Sequence, residues 1–228
     1  SGRILADYSG IEIRRGVTTG YDPAFVIGSN RLELLKDDIV KPLLKGREIK
    51  KYSIKESDQN IIFTRRGIDL KGHAIIRKYL EKFKSDLMPK TRAEQKRGRK
   101  PGSYKWYEIQ DNTAYHQLFK KDKIIWPLTA NKWGFALDEK KHYLTSGGFF
   151  LVSGNIPLKF VLGILNSKLM EFYFGFIGVM TAGGAYTLKK ATIEKFPIRD
   201  DPKSRESIAL YVDKILSAKN ENPQADTN

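Results

Sequence analysis

The side chains whose type and spacing come nearest to catalysis are glutamates standing two residues ahead of a lysine, in Glu94-Gln95-Lys96 and in Glu139-Lys140-Lys141, the latter preceded by Asp138. A carboxylate pair that holds a divalent cation, with a lysine to stabilise developing charge, is the equipment of a metal-dependent nuclease. Neither triplet has an upstream aspartate on an evident strand, and with 41 Lys+Arg and 26 Asp+Glu in 228 residues such triplets arise from composition alone. A stand-alone nuclease built on Asp138, Glu139 and Lys141 is therefore the alternative reading. Other chemistries lack their residues. The absence of cysteine excludes a thiol nucleophile, a disulfide framework and a cysteine-ligated metal, and the three histidines, His73, His116 and His142, are scattered without ligand spacing. No Walker or dinucleotide glycine loop, Gly-x-Ser-x-Gly elbow or His-Glu-x-x-His occurs.

Polyanion binding has more behind it. The formal net charge is +15, and residues 41–51 (Lys41, Lys45, Arg47, Lys50 and Lys51 against Glu48) and 90–105 (Lys90, Arg92, Lys96, Arg97, Arg99, Lys100 and Lys105 against Glu94) carry +4 and +6 of it. Cations gathered this way neutralise phosphates and release counterions, which gives salt-sensitive affinity without sequence preference. The plainer reading of either run is a solvated face. Base edges are read by directed donors and acceptors on loops, for which Arg14, Arg15, Thr18, Thr19, Lys105, Asn131 and Lys132 are the candidates, with Lys45, Arg47, Lys50, Lys51, Arg97, Arg99 and Lys100 on phosphates. Trp133, in a polar loop between Lys132 and Gly134, is the candidate for stacking or wedging, whereas Trp106 and Trp126 are expected in the core or at its edge. The turn Gly183-Gly184-Ala185-Tyr186, followed by Lys189-Lys190, could bring backbone close to a phosphate because glycine has no obstructing side chain.

The elements that must position these residues are mixed. Alternation and turn residues predict strands at 11–14 and 24–27 around a loop from Arg15 to Pro23, and further strands at 52–54, 60–63, 106–109, 123–126, 135–138, 143–144 and 149–152. Helical spacing predicts a helix over 74–87, with Ile75, Ile76, Tyr79, Leu80, Phe83 and Leu87 apolar, one opening at Pro157 with Leu158, Val161, Leu162, Leu165 and Leu169, and one over 205–217. The most apolar stretch, 160–180, is interrupted by Asn166, Lys168 and Glu171 and reads as core, so no membrane is expected and the location is expected to be cytoplasmic. Residues 1–10, opening Ser1-Gly2, read as a scar or linker, 11–217 as the functional domain, and 218–228 as a flexible tail.

Several phrases resemble, in order, one family. Arg15-Gly16-Val17-Thr18-Thr19-Gly20-Tyr21-Asp22-Pro23-Ala24-Phe25-Val26-Ile27 and Lys41-Pro42-Leu43-Leu44-Lys45-Gly46-Arg47-Glu48-Ile49-Lys50-Lys51-Tyr52 are followed by Trp106-Tyr107-Glu108-Ile109 and Lys123-Ile124-Ile125-Trp126-Pro127. Leu162-Gly163-Ile164-Leu165-Asn166-Ser167-Lys168-Leu169 and Ile193-Glu194-Lys195-Phe196-Pro197-Ile198 complete the set. Together they resemble the TaqI-like C-terminal specificity domain, the target-recognition module of adenine-N6 DNA methyltransferases and of fused type IIG restriction–modification enzymes. The resemblance implies double-stranded DNA as partner, near the Arg15–Gly20 loop. It further implies a covalently linked methyltransferase domain, accompanied by a nuclease in the fused restriction–modification members, which would bind S-adenosylmethionine and carry an Asn/Asp-Pro-Pro-Tyr/Phe motif. This chain has no Pro-Pro, so it is expected to hold no cofactor and to perform no methyl transfer by itself.

The expected architecture is an α/β (α+β) target-recognition fold, a twisted, mostly antiparallel sheet or half-barrel packed against the three helices. Its expected function is sequence-specific binding of duplex DNA on behalf of a catalytic domain. An RNA-binding or protein-docking module is a further alternative that basic charge does not separate.

Overall fold

Two strands, Lys123–Pro127 and Gly148–Val152, are buried at every residue. A strand that is apolar on both faces has to be covered on both, and this requirement organises the first part of the molecule. In the computed structural model, which describes residues 2–92 and 94–226, the chain forms two compact units. One comprises 1–16, 45–56 and 118–228, and the other 17–44 and 57–117, so the span 11–217 passes repeatedly from one to the other.

In the first unit the two buried strands are the centre of a four-stranded antiparallel sheet, in the order Ala136–Asp138, Lys123–Pro127, Gly148–Val152, Glu12–Arg15. The register sets Phe149 opposite Trp126, Phe150 opposite Ile125 and Leu151 opposite Ile124 and Ile13. One face thus sends Ile124, Trp126, Phe149 and Leu151 into a core with Phe160, Leu165, Phe174 and Phe196. The other sends Phe150 against Phe119, which stacks on Tyr143 with centroids 4.4 Å apart. Helices Leu158–Leu165, Lys168–Ile177 and Pro202–Glu221 close the first face. Gly163 allows the first and third to touch, since a Cβ there would lie 2.5 Å from Ile208 Cγ2. Asn166 ends its helix and spends its side chain on the backbone, accepting from Phe135 N at 2.9 Å and donating to Phe135 O at 3.0 Å.

Among the described residues, secondary structure reaches further toward both ends of the chain than the sequence suggests. Arg3–Ile4 pairs with Pro197–Ile198, Leu5 is fully buried, and the Tyr8 hydroxyl donates to Ile198 O, so the expected linker over 1–10 is packed structure from Arg3 onward. The last helix is capped by Asp201 and runs to Glu221, into the segment expected as a tail. Ser1, Thr227 and Asn228 lie outside the described residues. No single helix among the described residues is long and apolar enough to cross a membrane, and the apolar pair Leu158–Leu165 and Lys168–Ile177 is bent by 65°.

In the second unit Gln59–Ile62 lies between Val26–Gly28 and Val40–Leu44, antiparallel to both. Residues 24–27, expected as a strand, are split: Pro23 at the start sets Asp22–Phe25 into one helical turn, and only then does Val26–Gly28 extend. Helix Ala74–Glu81 buries Ile76 and Leu80, and the expected continuation to 87 breaks at Lys82-Phe83 before a last turn, Lys84–Leu87. Residues 106–109 are not a strand. They form a turn in which Glu108 N donates to Lys105 O and Ile109 N to Thr64 O. The result is a mixed α/β fold with several antiparallel sheets and no closed barrel among the described residues.

Candidate functional site

The two basic runs are placed in different units, 45–51 in the first and 90–105 in the second, so each is built by its own scaffold. In the first unit, Gly46–Glu48 forms one tight turn in which Glu48 is buried, accepting from Lys45 N and pairing with Arg47 Nε, both at 2.6 Å. A Cβ on Gly46 would come within 2.9 Å of Pro127 Cβ and 3.3 Å of Gly147 O, which presses the run against the sheet end. Arg15 Nε donates to Ser146 O at 2.6 Å on the same turn, and Gly147 O accepts Leu128 N, whose own carbonyl accepts Leu188 N. These contacts bring Arg15, the Lys45–Glu48 turn and the chain that leads through Leu188 into Lys189-Lys190 to the same end of the sheet. Arg14 pairs with Glu12 on the edge strand at 3.0 Å, and Lys190 lies 3.8 Å from Glu194.

Gly16 serves that end by close approach rather than by an unusual φ. A Cβ on it would sit 2.1 Å from Thr145 O. Lys50 and Lys51 occupy a hairpin between Ile49–Lys50 and Ser53–Ile54, turned by Tyr52 at φ +59° and fastened by Tyr52 N to Phe135 O. Gly134 abuts Lys51 N, which sets this hairpin beside the Asn131–Lys132 loop. Lys132 and Lys189 do not converge: their loops leave opposite ends of the antiparallel pairing of Thr129–Ala130 with Tyr186–Thr187.

Trp133 is not available for stacking on a base. It is buried among Phe135, Phe174, Tyr186 and Phe196, and its indole N–H donates to Leu165 O at 2.7 Å. The polar neighbours that suggested a loop tip flank a side chain folded inward, where both its ring and its donor are satisfied. Asp138, central to the nuclease alternative, is equally committed. Its carboxylate is fully buried, 2.7 Å from Lys123 Nζ and 2.8 Å from His142 Nδ1, and Lys141 pairs with Asp122. Burial alone would raise the Asp138 pKa, but hydrogen bonds and charge from His142 and Lys123 hold it below the ordinary carboxylate range. No open carboxylate pair is formed by Asp138 and its neighbours.

In the second unit the decisive residue is Arg99. Only 3% exposed, it donates from Nε to Leu87 O, from Nη1 to Thr19 O and Glu108 O, and from Nη2 to Trp106 O and, at 3.4 Å, to Lys105 O. Its guanidinium also lies over Tyr104, 4.4 Å from the centroid. Burial lowers its pKa to about 10, so it stays protonated at neutral pH. The expectation that Arg99 meets a phosphate is thus corrected: a guanidinium has five N–H donors, and here carbonyls take them. Thr19 is likewise internal, donating to Asp22 Oδ1 and accepting from Tyr21 N.

What Arg99 holds is a cleft of about 580 Å³ lined by Thr18, Gly20, Lys90, Gly98, Arg99, Lys100, Pro101 and Gln110. Sequence reasoning places Thr18 and Lys100 at a binding site and Lys90 only in a charge run, and it misses Gln110. No spacing marks Gln110. Only its position directly after the Trp106–Ile109 phrase hints at it. Arg97 is outside the cleft, exposed and 3.6 Å from Asp86, and Lys105 is exposed with its ammonium 5.7 Å from the Tyr107 ring centroid.

Loop cations on a mixed α/β scaffold suit a module that contacts nucleic acid. The family model of the TaqI-like C-terminal specificity domain matches residues 41–198, and the chain belongs to that family. A search of curated proteins finds no matching sequence. Among solved structures, the type IIL restriction–modification enzyme MmeI, determined in complex with DNA, is similar at a TM-score of 0.67 and 13% identity over 99% of this chain and 30% of that one. The type IIG restriction endonuclease BpuSI is similar at a TM-score of 0.57 and 17% identity over 93% of this chain and 26% of that one. This chain therefore spans less than a third of either enzyme, and at these identities the likeness is one of fold.

Proposed function

We propose that this chain is the DNA target-recognition module of an adenine-N6 methyltransferase or fused restriction–modification enzyme, working in the cytoplasm. It would bind duplex DNA sequence-specifically and present it to a covalently linked catalytic domain. That domain would bind S-adenosylmethionine and flip the target adenine out of the stack. The observation that carries this reading is the cleft of the second unit, in which cations and uncharged hydrogen-bonding side chains line a backbone braced from within by Arg99. Membership of a specificity-domain family supports it, as does the fold shared with MmeI, which was determined with DNA bound. The sheet-end cluster of Arg15, Lys45, Arg47, Lys189 and Lys190 supplies phosphate contacts in this reading.

Titration of labelled random-sequence duplex DNA with the purified chain between about 50 and 200 mM salt tests it. Binding is expected to weaken steeply with salt, and duplex RNA is expected to compete poorly. No binding at the lowest salt, or equal competition by duplex RNA, would overturn the proposal.

A further inference from the structure

We infer that Gln110, with Thr18 beside it, is a base-reading residue of this module, and that its target is the major-groove edge of an A·T pair. The inference rests on the DNA-recognition reading above and makes it specific. Its basis is a contrast between backbone and side chain at the same positions. The backbone of both residues is pinned on each side: Thr18 N donates to Asp111 Oδ2 at 2.7 Å and Asp111 N to Thr18 O at 3.1 Å. Gln110 N donates to Thr19 O at 3.1 Å, and Gln110 O accepts from Arg66 Nη2 at 2.8 Å. Yet among the described residues neither the Thr18 hydroxyl nor the Gln110 amide has a hydrogen-bond partner, and both line the cleft.

Fixed backbone with free polar termini is the arrangement a recognition surface needs, because little further order has to be imposed on binding. The neighbouring cations sharpen this. Lys90 and Lys100 line the same cleft and make no ion pair among the described residues, so a phosphate-bearing ligand is electrostatically favoured there. Arg99 forms part of the lining but has committed its donors, so the directed hydrogen bonds fall to Gln110 and Thr18. A primary amide offers a donor and an acceptor side by side, the complement of adenine N7 and N6–H in the major groove, whereas an ammonium offers donors only. The side chain also has room. Gly20 has φ +82°, and a Cβ there would lie 2.7 Å from Gln110 Oε1 and 2.9 Å from Arg99 Cδ, so the glycine leaves the room in which the amide sits.

The test is selection from a random duplex pool by the wild-type chain, Gln110→Ala, Thr18→Val and Lys90→Ala/Lys100→Ala, with a salt titration of each. Gln110→Ala is expected to lose preference for an A·T pair at one position, by about 5- to 150-fold, with its salt slope and melting temperature unchanged. The double lysine variant is expected to keep the motif and to flatten the slope by about 0.9 per phosphate contact removed. A Gln110→Ala profile identical to wild type would overturn the inference, as would wild-type binding that enriches no motif. An unchanged Gln110→Ala profile with the wild-type motif intact would leave the recognition reading standing, enrichment of no motif would remove its sequence specificity and leave duplex binding alone, and the absence of any duplex binding would sink both.

Discussion

Arg99 Nη1 donates to the carbonyl of Thr19 at 2.9 Å, joining residues 80 positions apart in the sequence. Through its other bonds the same guanidinium holds the carbonyls of Leu87 and of the 105–108 turn, so three loops of the second unit are fixed by one side chain. A buried cation is stable only when its donors are met, and carbonyls whose donor is removed lose their compensation for desolvation. Arg99→Met is expected to lower stability by about 2–4 kcal/mol in a denaturant titration. Arg99→Lys should recover only part, because one ammonium cannot reach carbonyls spread around a planar fork. Equal midpoints for wild type and Arg99→Met would mean that the brace is dispensable.

Gly20 and Gly67 separate two roles of glycine in the same unit. Both have positive φ, +82° and +75°, but nothing lies within 4 Å of a Cβ on Gly67, whereas one on Gly20 would strike Gln110 and Arg99. Gly67→Ala should cost about 1–2 kcal/mol for the left-handed backbone alone. Gly20→Ala should cost that and the displacement of two side chains. The expected order of melting temperatures is wild type, Gly67→Ala, Gly20→Ala, with the sequence preference on duplex DNA changed only in the last. Equal melting temperatures for the two variants would remove the steric argument.

What could be read from the sequence follows the range of the interactions. Strands such as Lys123–Pro127 and Gly148–Val152 announce themselves as apolar runs bounded by proline or glycine, and the ordered family phrases carried the fold class. The division of labour among the cations was hidden. Arg97 and Arg99 are two residues apart in one basic run, yet one is exposed and the other buried, and only the distant carbonyl of Thr19 and the 105–108 turn decide which. Trp133 misled for the same reason, since its partner, the carbonyl of Leu165, lies 32 residues on. The 24–27 segment was misread locally: its apolar residues suit a strand, but Pro23 at a helix start prevailed.

The buried pair of Lys123 and Asp138 makes acid stability testable. Asp138 is held below its ordinary value of 3.8 although burial opposes this, because His142 and Lys123 stabilise the carboxylate. A carboxylate depressed in the folded state contributes stability that is fully present above the unfolded pKa, near 4, and is lost as pH falls through the folded value. Asp138→Asn keeps the shape but leaves Lys123 Nζ uncompensated, with Phe119 O its remaining close partner at 3.0 Å. The expected loss is about 3–5 kcal/mol at neutral pH. The gap between wild type and variant should begin to narrow in denaturant titrations as pH falls through about 4, and go on narrowing down to the depressed folded value at which the native carboxylate protonates. A gap that stays constant down to pH 2 would show that the charge of Asp138 does not stabilise the fold.

Trp133 and Lys132 are adjacent in sequence, yet they should behave oppositely when changed. Trp133→Phe keeps an aromatic ring among Phe135, Phe174, Tyr186 and Phe196 but removes the indole donor to Leu165 O and leaves unfilled volume. Both losses act on the core, since an unpaired buried carbonyl and a void each cost on the order of 1 kcal/mol or more. The variant should therefore melt earlier while its salt slope and sequence preference on duplex DNA stay at wild-type values. Lys132→Ala removes an exposed ammonium and should leave the melting temperature within about 0.5 kcal/mol of wild type in free-energy terms. If that ammonium meets a phosphate, its slope falls by about 0.9. A Trp133→Phe protein that melts normally but binds DNA more weakly would reverse the assignment and return this indole to the nucleic acid.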